Sequence, residues 1–379
     1  MDDLFRAAIL LNAAQANISS FYLLKKGYDA KDLFNNNNLE LWEKIGLKPG
    51  VQKRLNDLLI DNSWPERELD KINRFNARFI HVESHEYPTR LKEIKDAPIG
   101  LYVMSAEPEN LANLTVKSVA IVGTRRCSNY GYSIAESLGR ALAKVGFAVI
   151  SGGAKGIDEA GHMGCLEENG FTVAVMGTGL DIIYPSEHRQ LFSEISQHGA
   201  LVTEYPFGTK GEQWHFPERN RIIMGMAGRT VVVESPVDGG AMGTAKLTLE
   251  AGREVWSVPG RISDEMCRGT NNLIRDGAHV LVDVNDFIKT IGGAYGQLML
   301  DFNNNNSQAV NNNNNNNLAK LSPDEQKVLA IIEKGNNLTF DDILSKSGLD
   351  FVSLQMCLIN LTGDKLISQS MAGRYSALT

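Results

Sequence analysis

The chain has 379 residues, of which 43% are hydrophobic and 22% charged, enough apolar material for at least one large core and for two or three domains. No apolar run approaches the ~20 residues that span a bilayer, and the start MDDLFRAAIL carries acidic residues where a secretory signal carries basic ones, so the expected address is the cytoplasm. A net charge of -7 works against any global attraction to a polyanion, so nucleic-acid binding would need a local basic site. The four cysteines, Cys127, Cys165, Cys267 and Cys357, are too scattered for C-x-x-C and read as reduced thiols, with neither a zinc site nor a disulfide framework.

Residues 1–63 have apolar residues at helical spacing in LFRAAILLNA and VQKRLNDLLI, which predicts a small N-terminal helical domain. Within it IGLKPGVQKRL sets Gly46 and Gly50 around a turn before a helix. That pattern is either a SAM-like or helix-hairpin-helix device or a plain turn between packed helices. Residues 64–295 hold the β-branched runs SVAIVG, FAVIS, FTVAVMG, ALVTE, RTVVVE, REVWSVPG and AHVLV. Most intervals between them are helix-like, as in SIAESLGRALAKV. Alternating strands and helices predict an α/β, Rossmann-like, doubly wound and mainly parallel sheet, whose ligands bind beyond the carboxyl ends of the strands. The asparagine tracts Asn35–Asn38, Asn303–Asn306 and Asn311–Asn317 read as insertions or linkers, and 296–320 as the boundary segment. Residues 321–379 then predict three helices and two strands joined near Gly373, the winged-helix order. Its third helix, DFVSLQMCLINLTGD, has no Lys or Arg before Lys365, which points to protein docking rather than to duplex reading.

The chemistry is in the loops. GTRRCSNYG lacks the G-x-G-x-x-G spacing, and SGGAKGID lacks the Ser or Thr of a Walker loop, so dinucleotide binding and ATP hydrolysis are disfavoured and no cofactor is expected. What these loops keep is anion-binding physics: close backbone approach at Gly123, Gly152 and Gly156, and charge from Arg125, Arg126 and Lys155. In WHFPERNRII, Phe216 can stack a base while Arg219 and Arg221 grip phosphates; alternatively Phe216 is core and the arginines pair with Glu204 or Glu218. ESPVDGGAMGTA brings Gly240, Gly243 and Thr244 to another helix start.

Taken in order, YPTRLKEIKDAPIGLYVMS, VAIVGTRRCSNYG, SGGAKGIDEAGH, GTGLDIIYP, FPERNRII and VPGRI…GTNNLIRDGAHVL resemble the DNA-processing protein A (DprA/Smf) family over about Tyr87 to Asp286. The resemblance implies a non-enzymatic recombination mediator of natural transformation that protects single-stranded DNA, loads a RecA-type recombinase and forms a homodimer. It implies a pocket of Arg125, Lys155, Phe216 and Arg219, with Asn220 and Arg221 beside them. Gly153 and GGAMGTA depart from the family's SGLA and SGSLITA, the latter removing two serine hydroxyls. The alternative is a nucleoside-monophosphate phosphoribohydrolase of the lysine-decarboxylase-like type, whose PGGxGTxxE loop resembles DGGAMGTAKLTLE. Here, however, Leu247 stands where that pattern has its glutamate, and Glu250 comes three residues later. Asp158 and His162 read as structural hydrogen-bonding groups and Ser151 as a helix cap. Tyr184, Pro185 and His188 read as a loop packed on the sheet.

Overall fold

The computed structural model describes residues 3–292 apart from 36–37, 62 and 115–116, and residues 322–377 apart from 336–337, 364–365 and 370–373. The expected 296–320 linker, its asparagine tracts and the Gly373 turn lie outside the described residues. The chain divides into two compact units, residues 1–287 and 288–379.

Five helices open the first unit: α1 (Asp3–Ala13), α2 (Ile18–Gly27), α3 (Leu39–Lys44), α4 (Pro49–Ile60) and α5 (Trp64–Arg74). Gly46, at φ +75°, makes the left-handed turn between α3 and α4 that a side chain would strain, and Pro49 starts α4 where no amide donor is needed. These helices share one apolar core with the sheet through residues such as Leu10, Phe21, Trp42 and Phe79. A buried amide fixes the join: Asn12 accepts from the Gly100 N–H at 3.0 Å and donates to the Glu204 carbonyl at 2.7 Å.

The sheet has nine strands: β1 (Arg78–His81), β2 (Gly100–Met104), β3 (Ser118–Val122), β4 (Ala148–Ser151), β5 (Thr172–Val175), β6 (Ala200–Thr203), β7 (Arg229–Val232), β8 (Glu254–Ser257) and β9 (His279–Val280). Their order is β1-β2-β6-β5-β4-β3-β7-β8-β9. β3 to β9 pair in parallel and β1 and β2 add antiparallel at one side, so the sheet is mainly parallel as expected. β3, β4 and β5 are buried along their whole length, which explains their unbroken apolar and β-branched composition. Covering helices are α6 (Thr89–Lys92), α7 (Asn129–Lys144), α8 (Ile157–Glu167), α9 (Arg189–His198), α10 (His215–Met226), α11 (Gly240–Glu250) and α12 (Arg268–Arg275); a further helix, α13 (284–292), runs across the boundary at residue 287. From β3 the chain builds outward through β4, β5 and β6, then returns through α10 to lay β7 on the other side of β3. The order therefore reverses at the β3/β7 pair, the crevice where such sheets take ligands.

The second unit runs α14 (Pro323–Gly335), β10 (Leu338–Thr339), α15 (Phe340–Ser347), α16 (Phe351–Gly363), β11 (Ile367–Gln369) and β12 (Arg374–Ala377), with an antiparallel sheet ordered β10-β12-β11. Thr339 and Asp342 close a reciprocal cap at the start of α15. Val328, Ile332, Ile343, Leu354, Leu358 and Tyr375 form its core, and α16 contains neither Lys nor Arg. Among the described residues of both units no helix is long and apolar enough to cross a membrane.

Candidate nucleic-acid interface

The loop after β3 turns at Gly123, where an added Cβ would lie 2.5 Å from Ile157 and 2.8 Å from the Glu234 carbonyl; only glycine fits. The same Glu234 then fixes the loop. Its carbonyl accepts from Thr124 N–H at 2.7 Å, and its carboxylate accepts from the Ser128 N–H at 2.8 Å and the Ser128 hydroxyl at 2.5 Å. Ser128 in turn caps α7 by accepting from Gly131 N–H. Arg125 and Arg126 stand exposed on this anchored loop.

The loop after β4 is held from below. Asp158 accepts from the Gly152 and Ala154 N–H groups at 3.1 and 3.3 Å, so these amides face inward, away from any ligand. Arg219, only 4% exposed, donates from Nη1 to the Gly152 carbonyl at 2.7 Å and to the Val175 carbonyl. Gly152 is thus gripped on both sides, and an added Cβ would sit 2.5 Å from the guanidinium. Burial lowers the Arg219 pKa to about 10 against the pull of Asp158, and burial raises that of Asp158 against the pull of Arg219.

α10 carries Phe216 and Asn220. The Arg125 guanidinium lies over the Phe216 ring at 5.2 Å, a cation–π pair, and the Tyr184 ring is tilted against Phe216 at 5.2 Å between centroids. Asn220 Nδ2 reaches the Gly240 carbonyl at 3.4 Å. α11 (N-cap Gly239) starts without a side-chain cap; the Met242 N–H turns back to the Gly239 carbonyl at 3.0 Å, which leaves the Gly240 and Ala241 amides for an anion, and an added Cβ at Gly240 would meet only open space. Together these parts line a cleft of about 320 Å³ at the β3/β7 switch. Arg125, Arg126 and Arg219 line it against one carboxylate, that of Asp158, giving a locally positive site on an acidic chain. Among the described residues no cluster of His, Cys, Asp or Glu is arranged for a metal ion.

A family model described as DNA recombination-mediator protein A matches residues 78–292, a stretch that contains all nine strands and every residue of the cleft. The chain belongs to that family. Protein Smf of Synechocystis sp. is 33% identical over 334 residues, which cover 83% of this chain and 84% of the relative. The DNA processing protein DprA of Streptococcus pneumoniae is 35% identical over 229 residues, covering 60% and 78%. The X-ray structure of S. pneumoniae DprA superposes with a TM-score of 0.62 at 29% identity, over 73% of this chain and 94% of that one. DNA processing protein A from Helicobacter pylori, solved for its single-stranded DNA binding mode, superposes with a TM-score of 0.51 at 28% identity, over 56% and 95%.

Of the residues that the family resemblance and the loop chemistry single out, the cleft gathers Gly123, Arg125, Arg126, Phe216, Arg219, Asn220, Gly240 and Thr244. Arg219 lies beneath it as a brace between α10 and the ends of β4 and β5, because its donors go to backbone carbonyls. Gly152, Lys155, Gly156, Arg221 and Gly243 are outside its lining. Gly156, at φ +82°, makes the turn into α8. Lys155 is exposed and pairs with Glu187 at 2.6 Å, a contact that raises the lysine pKa and lowers that of Glu187 to about 2. Arg221 faces away and pairs with Glu204, one of the two carboxylates that sequence offered it.

Tyr184, outside the cleft's lining but against Phe216, is an aromatic that sequence reasoning did not single out. Of the loop expected to pack on the sheet, His188 is buried with Nδ1 3.0 Å from the Gly153 carbonyl, whereas Tyr184 is 44% exposed beside Phe216. An aromatic directly before a proline, in a loop after a parallel strand, is the signal that could have marked it. Ser151 also differs from expectation: its hydroxyl donates to the Ile121 carbonyl at 2.6 Å, bridging β4 to β3 instead of capping α8. Asp158 and His162 are structural, though not with each other, since His162 Nδ1 lies 2.7 Å from Thr172 Oγ1.

Proposed function

We propose that the cleft holds single-stranded DNA and that the protein acts as a non-enzymatic recombination mediator. The observation that carries this reading is the exposed Arg125 guanidinium, stacked on Phe216 and set across the cleft from the uncapped start of α11. That arrangement offers a phosphate two independent attractions, an exposed guanidinium and fixed backbone dipoles, while Phe216 and Tyr184 offer a base an apolar face. None of these contacts reads a base edge, so binding should depend weakly on sequence. The single-stranded DNA binding mode described for the H. pylori protein supports the same reading.

The phosphoribohydrolase alternative needs a free carboxylate from α11. Leu247 lines a different cavity, and Glu250 lies at the far end of α11, 59% exposed and 3.8 Å from Lys246. Asp158, the carboxylate lining the cleft, already accepts two backbone N–H groups. Hand-over of the strand to a RecA-type recombinase and a homodimeric assembly are the finer parts of the proposal, and rest on the family resemblance. The deciding experiment is a gel shift with single-stranded and duplex oligonucleotides at fixed salt. Preference for the single strand is expected, and equal or tighter duplex binding would sink the proposal.

A further inference from the structure

Beyond the main cleft, the end of the 123–128 loop and the first turn of α7 form the wall of a second, larger cavity of about 690 Å³. Gly123 to Arg126 face the first cleft, and Ser128 to Tyr130 face the second. The second is bounded opposite by the 259–261 loop that follows β8. There Gly260 packs so tightly on Cys267 that an added Cβ would lie 2.2 Å from its sulfur. Tyr130 is 49% exposed, and its hydroxyl makes only a long 3.4 Å contact with the Pro259 carbonyl. Arg261 is exposed and forms no ion pair with a described residue.

Two acidic residues also line this cavity, and both are already engaged. The Glu234 carboxylate receives the Ser128 amide and hydroxyl, and Asp264 Oδ1 receives the Met266 N–H at 2.9 Å. Neither draws Arg261 into a bridge. Beside the exposed Asn129 and the half-buried Asp264, the cavity turns to solvent an aromatic ring and a guanidinium, the same pair of chemistries that Phe216 and Arg125 supply on the other flank, with exposed Arg126 on the loop between them. A strand lying across the loop would meet both in succession.

We propose that Tyr130 and Arg261 form a second single-strand subsite, taking a base and a phosphate of the nucleotides that leave the main cleft over the 123–128 loop and the start of α7. This rests on the reading of the main cleft given above, and it makes binding depend on oligonucleotide length in a way that the main cleft alone does not.

The test is fluorescence anisotropy on the full chain with oligothymidylates of about 4 and about 16 nucleotides, lengths that bracket one subsite and an extended path. Tyr130→Ala and Arg261→Ala should each weaken the longer oligonucleotide by about tenfold and leave the shorter one within about twofold of wild type. Tyr130→Phe keeps the ring and should bind as wild type, which separates a lost stacking face from a misfolded loop. Arg125→Ala should weaken both lengths. If Arg125→Ala weakens both while Tyr130→Ala and Arg261→Ala weaken neither, the subsite is wrong and the main cleft stands. If none of the three changes binding at either length, the reading on which the subsite rests is wrong as well.

Discussion

Arg125 and Lys155 come from equivalent-looking glycine-rich loops, yet their surroundings predict different behaviour. Arg125 lies over a ring and has no carboxylate partner among the described residues, so a phosphate can take its guanidinium without displacing one of these anions. For a single strand each such contact contributes about 0.7 to the slope of log K against log salt. Arg125→Ala should therefore flatten the slope by about 0.7, and its affinity deficit relative to wild type should shrink about 2.6-fold between about 50 and 200 mM salt. Lys155 starts from a 2.6 Å pair with Glu187, half exposed on both sides, and a phosphate must compete with that carboxylate. Exposed pairs of this kind are weak, so Glu187→Gln should raise affinity by only about two- to fivefold, and only where Lys155 is present. The assay is anisotropy at four salt concentrations on wild type, Arg125→Ala, Lys155→Ala, Glu187→Gln and the Lys155→Ala/Glu187→Gln double variant. An unchanged slope in Arg125→Ala would refute the assignment of its guanidinium. Equal gains from Glu187→Gln with and without Lys155 would show that the carboxylate acts by general repulsion, leaving Lys155 outside the site.

The aromatic pair should respond differently to substitution: Phe216→Ala and Tyr184→Ala should each lose about 1–3 kcal/mol of binding with the salt slope intact, and Tyr184→Phe little. Wild-type binding by Tyr184→Ala would remove that ring from the site. Arg219→Ala leaves the buried Gly152 and Val175 carbonyls without this donor and should cost about 2–4 kcal/mol of folding stability in urea titration; unchanged stability with a flattened salt slope would make Arg219 a phosphate contact instead. His162 is fully buried and its pKa is lowered from 6.5 to about 3 by burial. The unfolded chain binds a proton near 6.5 that the folded protein refuses until about 3, so stability is complete above 6.5 and falls through that window by about 1.4 kcal/mol per pH unit from this group. His162→Gln should remove that part of the pH dependence of unfolding, and an unaltered pH profile would show that His162 does not cause it.

The parallel strands were legible because burial on both faces leaves unbroken β-branched runs: SVAIV, AVIS and TVAV each sit where the pattern puts them. The glycine-rich loops could be located for the same reason, since they follow those runs. β1 and β2 left a weaker signal, because RFIH carries an exposed arginine and a half-buried histidine at its ends, and the antiparallel addition of GLYVM to β6 depends on contacts with α1 that no local pattern encodes. Charge was the least legible feature. Arg219, Arg221 and Lys155 look alike in sequence, and only the fold sends the first to backbone carbonyls, the second to Glu204 and the third to Glu187. Periodicity gives the face of an element; it does not say whether a carboxylate from another segment will reach the same point.

The central claim is that a single strand lies in the cleft between α10, α11 and the 123–128 loop. Photocrosslinking with an oligonucleotide carrying 5-iodo-deoxyuridine, followed by mass spectrometry of the adducts, reads the contact directly, because this base reacts chiefly with the aromatic ring it stacks on. Adducts are expected on Phe216 or Tyr184, with loss of yield in Arg125→Ala. Adducts confined to the helices of residues 1–63 or to α16, with none at Phe216 or Tyr184, would contradict the account.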